Sequence, residues 1–147
     1  MRLYKVLSAS LWLIVTPAWA FDLDGFFSGM KRADVIEKLT VAGLTPKPSM
    51  SGQQSQIVAG IYDIAFCSNG RIAAVTKTID FREFNAYLLS MIANHGEPRV
   101  DIPSADLDIL YLRWTLNDRS EFSLNSGTND NGRFHNVGAI DNSFCQK

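Results

Sequence analysis

Only two histidines, His95 and His135, occur among 147 residues, far apart in the chain. Neither belongs to an HxxxH or HExxH arrangement, the spacings that bring two imidazoles to one zinc ion. His95 falls in the last turn of a predicted helix, where an imidazole suits the dipole and donates to free carbonyls. His135 follows a glycine-containing turn and is read as an exposed strand residue. No GxSxG elbow is present to raise a serine nucleophile. Asp101, Asp106 and Asp108 gather near a loop-to-strand junction, either as a shallow cation site or as solvated turn acids. Asn129-Asp130-Asn131-Gly132 has the residue types of a calcium loop, but neither its spacing nor its downstream glutamate. No catalytic or metal-binding pattern assembles from these residues, so no catalytic residue, metal or cofactor is expected.

Cys67 and Cys145 are the two cysteines, and the start of the chain sets how they are read. Arg2 and Lys5 precede an apolar run over residues 6–15, then Pro17 and Ala18-Trp19-Ala20. This is the pattern of a cleaved signal peptide over residues 1–20, with cleavage after Ala20. The apolar run is shorter than the roughly 20 residues that a membrane-spanning helix needs. Export implies an oxidising compartment, periplasmic or extracellular, and there a lone cysteine pair is expected as a Cys67–Cys145 disulfide. Residues 21–147 are then a single domain. Loss of Arg2 and Lys5 takes the basic side chains from 14 to 12 against 15 acidic, a net charge of −3. With no basic run, binding to nucleic acid or to an anionic membrane is not expected, and no later segment is apolar enough to span a bilayer.

The elements that would position a surface read as follows. Residues 21–27 (FDLDGFF) form a short leading segment whose aromatics pack on the core. Residues 30–42 predict a helix: Val35, Ile36, Leu39 and Ala42 share a face, and Asp34 and Lys38 make an i,i+4 pair. Gly43 and Pro46 end it. Residues 45–55 (TPKPSMSGQQS) carry two prolines, a glycine and no period, and read as a loop. Residues 57–79 predict a β-hairpin, because Tyr62, Ile64 and Phe66 alternate with Asp63 and Ala65 and Asn69-Gly70 favours a two-residue turn. That turn pairs Phe66 with Ala73, Ile64 with Val75 and Tyr62 with Lys77. It leaves Cys67, Ile72, Ala74 and Thr76 on the other face. A three-residue loop over residues 68–70 would instead set Ile72 opposite Phe66; the first register is preferred because it buries Val75 and Ile79.

Residues 80–95 predict the second helix, with Asp80 and Glu83 as a capping box and Phe81, Phe84, Leu88, Met91 and Ile92 as the buried stripe. Gly96 and Pro98 end it, and residues 97–106 read as a connector. Residues 107–116 alternate, with Leu110, Leu112, Trp114 and Leu116 on one side and Ile109, Tyr111, Arg113 and Thr115 on the other. Matching Phe122 and Leu124 to the apolar side requires an odd-length turn over residues 117–119, pairing Trp114 with Phe122 and Leu112 with Leu124. Residues 126–132 read as a further turn and residues 134–141 as a last strand. The order α-β-β-α-β-β-β predicts an α+β fold: a single antiparallel sheet with two helices packed on one face. The uncovered face would present Tyr111, Arg113, Thr115 and Glu121. Tyr and Arg are favoured anchors at protein interfaces. The same residues also suit a solvated face in which Arg113 pairs with Glu121 or Ser123.

Gly29-Met30-Lys31-Arg32-Ala33-Asp34-Val35, followed by Leu39 and Gly43, resembles the GM-x-x-x-x-V…L helix start of small outer-membrane-assembly lipoproteins of the SmpA/OmlA type. His95-Gly96-Glu97-Pro98 is similar to the G-x-P that follows such a helix. The sequence departs from that pattern at Lys31, where a Ser or Thr cap is usual, and in lacking a lipid-attachment cysteine. The resemblance implies helices on one side of an antiparallel sheet, as in the related fold of the β-lactamase inhibitory proteins. It also implies an exported, protein-binding, non-catalytic module, and it transfers no functional residues. The functional expectation is therefore a soluble exported binding protein: an inhibitor, an immunity-type protein or an envelope assembly accessory, partnered by another envelope or secreted protein. The alternative is a small secreted hydrolase with a dispersed Asp/Glu/His site.

Overall fold

The computed structural model describes residues 21–49, 56–102, 108–117 and 119–145. The signal peptide expected over residues 1–20 lies outside them. Of these described residues 50% are in strand and 22% in helix, so they are mostly β, which corrects the expected five-strand α+β arrangement. The elements run β1 (Asp22–Leu23), β2 (Phe26–Phe27), α1 (Arg32–Val41), β3 (Lys47–Pro48), β4 (Gln56–Ala59), β5 (Tyr62–Phe66) and β6 (Ile72–Thr78). They continue with α2 (Phe81–His95), β7 (Arg99–Asp101), β8 (Ile109–Asn117), β9 (Ser120–Asn129) and β10 (Gly132–Asp141). The β1–β2 hairpin stands apart as a two-stranded sheet. The other eight strands form one antiparallel sheet in the order β3-β4-β5-β6-β10-β9-β8-β7.

The strands missing from the expected order are the short ones. Lys47–Pro48 sits inside the stretch read as a loop, and Arg99–Asp101 inside the connector. Both are edge strands, protected by a proline or by charges. Two or three residues are too few to show an alternation. The rest of those stretches, residues 50–55 and 103–107, lies outside the described residues. Gln56–Ala59 is a strand of its own, separated from β5 by Gly60-Ile61, so residues 57–79 hold three strands rather than two. At the other end, β9 and β10 run on to Asn129 and back from Gly132, so only Asp130-Asn131 is left of the turn expected over residues 126–132.

The topology has a pseudo-two-fold plan. A helix followed by a four-strand meander occurs twice, α1 with β3–β6 and α2 with β7–β10, and the last strand of each meander pairs with the other (β6 with β10). Cross-strand partners share a face, so the registers trace the core directly. One row runs Ile57, Ile64, Val75, Ala139, Phe122 and Trp114 across six strands. Every member is 8% exposed or less. Val35 and Leu39 from α1 and Phe84 and Met91 from α2 belong to the same buried cluster, which places both helices over this one face. The pairs expected for the later hairpin, Trp114 with Phe122 and Leu112 with Leu124, are present.

The helix ends show how each half is held. Asp80 accepts from the Glu83 amide at 2.8 Å and Glu83 reaches back to the Asp80 amide, completing the capping box. Of the stripe expected on α2, Phe84 and Met91 are buried, whereas Phe81 (61% exposed) and Ile92 (40%) are not. Helix α1 begins at Lys31 with no side-chain cap. Its Arg32 amide instead donates to the Gly70 carbonyl at 2.8 Å, and Ile72 donates to Met30. At its other end Gly43, with φ of 76°, lets Leu44 donate to Leu39 and Gly43 to Thr40, the Schellman closure.

The tip of the β5–β6 hairpin departs from the expected turn. Near its base Tyr62 pairs with Lys77 and Ile64 with Val75, as anticipated, but a bulge then sets Phe66 opposite Ile72. The loop is the three-residue form: Gly70 donates to the Cys67 carbonyl, Cys67 donates to Arg71, and positive φ falls on Gly70 rather than Asn69. The cause is Ile72. Only this register turns it inward, and it is fully buried, whereas a two-residue turn would have faced it to solvent. Cys67 and Cys145 are bonded, with Cα atoms 5.0 Å apart and a sequence separation of 78. The tail is further secured by Asn69 Nδ2 donating to the Phe144 carbonyl at 2.7 Å and by the Phe144 ring lying against Gly29.

Candidate binding surface

The face of the large sheet opposite the helices is traced by the alternate register. One row runs Lys47, Val58, Asp63, Thr76, Gly138, Ser123, Arg113 and Arg99 from edge to edge. Beside it lie Gln56, Ala65, Ala74, Ile140, Glu121 and Thr115 in one row, and Thr78, Asn136, Asn125, Tyr111 and Asp101 in another. In the first row small side chains (Thr76, Gly138 and Ser123) occupy the middle strands and longer ones the flanks. A Cβ at Gly138 would stand 2.9 Å from Ser123 Oγ, so the backbone of Gly138 lies close against its cross-strand neighbour. None of the described helices covers this face, since α1 and α2 both pack on the opposite one.

Tyr111, Arg113, Thr115 and Glu121, singled out from the sequence, do share this face and lie in adjacent strands. Arg113 sits over the Tyr111 ring, 5.6 Å from its centroid. It reaches Asp101 through Nε at 3.2 Å and Glu121 through Nη1 at 3.8 Å. The expected Arg113–Glu121 cross-strand pair therefore forms, as the weaker of two contacts. Asp101 is the partner that the connector reading hid. Edge strand β7 brings it opposite Tyr111, where Arg99 also holds it at 2.7 Å. Hydrogen bonds from Arg99 depress the Asp101 carboxyl below its usual range. The result is an aromatic and guanidinium cluster whose charges are neutralised but whose side chains stay in reach of solvent. Near it an open depression of about 460 Å³, bordered by Arg113, Arg119, Glu121 and Ile140, marks the end of the β8–β9–β10 face.

The other constellations weighed from sequence do not converge. His95 is exposed in the last turn of α2. His135, expected on the surface, is 9% exposed, because strand alternation turns it under the start of α2 against Phe81 and Phe84, at 5.5 and 5.3 Å. Eleven helical positions separate His95 from Phe84, roughly 16 Å of helix rise. Among the described residues His135 Nδ1 has no hydrogen-bond partner. Asp101 is taken by arginines and Asp108 accepts from Thr128 Oγ1 at 3.0 Å; Asp106 lies outside the described residues. No group of three potential metal ligands occurs among the described residues.

One polar network escaped the sequence reading altogether. The Asp24-Gly25 turn of the β1–β2 hairpin, with both φ values positive (54° and 76°), delivers Asp24 to the helix side of the sheet. There Tyr62 donates to Asp24 Oδ2 at 2.6 Å, and Lys77 bridges Asp24 (3.0 Å) and Glu83 (3.2 Å). Burial works against the charged Asp24, but the hydrogen bonds from Tyr62 and Lys77 prevail and its carboxyl is lowered. Burial and the Asp24 carboxylate push the Tyr62 hydroxyl up to about 12. Burial opposes the Lys77 charge too, yet its two carboxylates raise it overall. These shifts make Tyr62 a standing donor and Lys77 a standing cation, so the network fastens the small hairpin to both halves. The signal that could have revealed it is Asp-Gly between apolar pairs, the two-residue hairpin dipeptide.

No helix among the described residues is long and apolar enough to cross a membrane. No protein-family model matches the chain, and no curated protein or solved structure matches it either.

Proposed function

We propose that this chain is an exported, non-catalytic binding protein that engages a protein partner through the open face of its large sheet. The observation that carries the reading is the one-sided packing. Both helices lie on one face, while the other offers an eight-strand platform with Tyr111 and Arg113 stacked beside Asp101 and Glu121. Stacked Tyr and Arg lose little side-chain freedom on docking, which is why they anchor interfaces. The Cys67–Cys145 bond is compatible with an oxidising compartment, and the signal-peptide pattern read in the sequence of residues 1–20 supports export. An inhibitor, an immunity-type protein or an envelope assembly accessory would use such a surface. The test is a pull-down from envelope extract with the wild type and a Tyr111→Ala/Arg113→Glu variant, followed by hydrogen exchange on the recovered complex. A partner lost in the variant, with protection of β8 and β9 in the wild-type complex, is the expected outcome. Equal recovery of the same proteins by both forms rules the surface out.

A further inference from the structure

The dipeptide Asn-Gly occurs twice in the chain, at Asn69-Gly70 and at Asn131-Gly132. Each stands at the tip of a hairpin, the first joining β5 to β6 and the second β9 to β10. The pair is labile chemistry as well as a turn signal. Glycine has no Cβ to hinder its amide nitrogen, so that nitrogen can attack the preceding asparagine Cγ. A C–N bond forms, the Cγ–Nδ2 bond breaks, and ammonia leaves with the proton of the glycine amide. Water then opens the resulting succinimide at one carbonyl or the other, leaving aspartate or isoaspartate.

The reaction needs the asparagine side chain to swing against the next peptide, and that peptide to release its amide proton. The first tip opposes both movements. Asn69 Nδ2 donates to the Phe144 carbonyl at 2.7 Å, and Asn69 Oδ1 accepts from the Arg71 amide at 3.1 Å. The Gly70 amide donates to the Cys67 carbonyl at 2.9 Å, and the Gly70 carbonyl accepts from the Arg32 amide at 2.8 Å. The Cys67–Cys145 bond fixes the tail that carries Phe144. The second tip is open. Asn131 and Gly132 are exposed, and Asn131 is bonded through its backbone, whose amide donates to Asn129 Oδ1 at 2.9 Å. Among the described residues its side-chain amide has no hydrogen-bond partner. Gly132 forms the last rung of the β9–β10 ladder, opposite Asn129, and rungs at a hairpin end open locally at little cost.

We propose that Asn131 is a site of spontaneous modification to aspartate and isoaspartate, and that the disulfide and tail clamp the first tip so as to shield Asn69 from the same reaction. Either product adds a negative charge beside Asp130, and isoaspartate also lengthens the backbone at the turn. At Asn69 the cyclising geometry is reached only after both side-chain hydrogen bonds are broken, which makes it rarer and the reaction slower.

The experiment incubates the oxidised, folded protein at mildly alkaline pH and follows both sites by peptide mass mapping. Trypsin cuts after Arg71 and Arg133, which leaves the two Asn-Gly pairs in separate peptides. Conversion of Asn131 should run at least roughly tenfold faster than that of Asn69. In reduced protein held in guanidinium chloride the two rates should converge. An Asn131→Gln variant, altered at an exposed turn position, should leave its peptide unconverted over the same time. Equal rates in the folded protein, faster conversion of Asn69, or no conversion at either site would each overturn the proposal. A gap that persisted in guanidinium chloride would overturn it in favour of local sequence alone. Undiminished conversion of the Asn131→Gln peptide would overturn it in favour of Asn125 or Asn129.

Discussion

The two halves share a plan and differ in how they are held. In the second half the ties are local. Asp80 and Glu83 cap α2 with their own side chains, Gly96 ends it, and Trp114 Nε1 donates to the Gly96 carbonyl at 2.9 Å. The first half relies on distant segments. Helix α1 starts on a lysine and takes its first backbone bond from Gly70, the hairpin tip is bonded to Cys145, and Phe144 covers Gly29. The same α-then-meander unit therefore has its helix start capped locally in one copy and held by the hairpin tip and the chain's tail in the other. A clamp costs conformational freedom in the folded chain but restricts the unfolded chain more.

The comparison can be broken most forcefully at the disulfide. A Cys67→Ser/Cys145→Ser variant should lose about 2–5 kcal/mol of unfolding free energy by urea titration. Hydrogen exchange should show the loss concentrated in α1 and the β5–β6 tip, with α2 and β8–β9 protected longer. Uniform loss over both halves would mean that the clamp serves the whole sheet rather than the first half.

The Asp24 network joins the halves, so its removal should loosen them from each other. Asp24→Asn keeps a residue that tolerates positive φ while removing the charge. A cost of about 1–2 kcal/mol at neutral pH is expected, held down because the Asp24 side chain is 34% exposed. The pH dependence carries a sign at each end. Asp24 is lowered on folding, so its share is present above the ordinary carboxylate range and lost as pH falls through the folded value. Tyr62 and Lys77 are raised, so theirs is present below pH 10 and lost as pH rises toward about 12 and beyond. In Asp24→Asn both limbs should flatten; an alkaline limb as steep as that of the wild type would disconnect Tyr62 and Lys77 from Asp24.

The smallest effects compare the helix starts. Asp80→Ala should cost about 1 kcal/mol, whereas Lys31→Ala should fall within roughly 0.5 kcal/mol of the wild type. The Gly70 carbonyl, not the Lys31 side chain, satisfies the start of α1. Matching losses at the two positions would remove the distinction between local and distant support.

The same distinction explains what could be read in advance. The capping box, the Gly43 and Gly96 stops, and the Trp114–Phe122 register are written within a dozen or so residues, and all are present in the fold. The platform residues Tyr111, Arg113, Thr115 and Glu121 follow from alternation along β8 and β9. Their partners Asp101 and Arg99 do not, because β7 becomes a strand only through pairing with β8. Likewise Lys38 carries an ordinary helical spacing to Asp34, and only the arrival of the β1–β2 hairpin turns it to Phe26.

By itself the sequence determined the two helices and the buried face of the β8–β9 hairpin, which depend on residue type and short spacing, and the pairing of Cys67 with Cys145, which follows from there being two cysteines in the chain. Tertiary structure alone decided that the sheet has eight strands, that β6 meets β10, that Ile72 and His135 point inward, and that Asp24 reaches Lys77. The physical reason is that these depend on contacts between segments tens of residues apart. In those contacts the burial of one side chain, such as Ile72, outweighs the preference of a local turn.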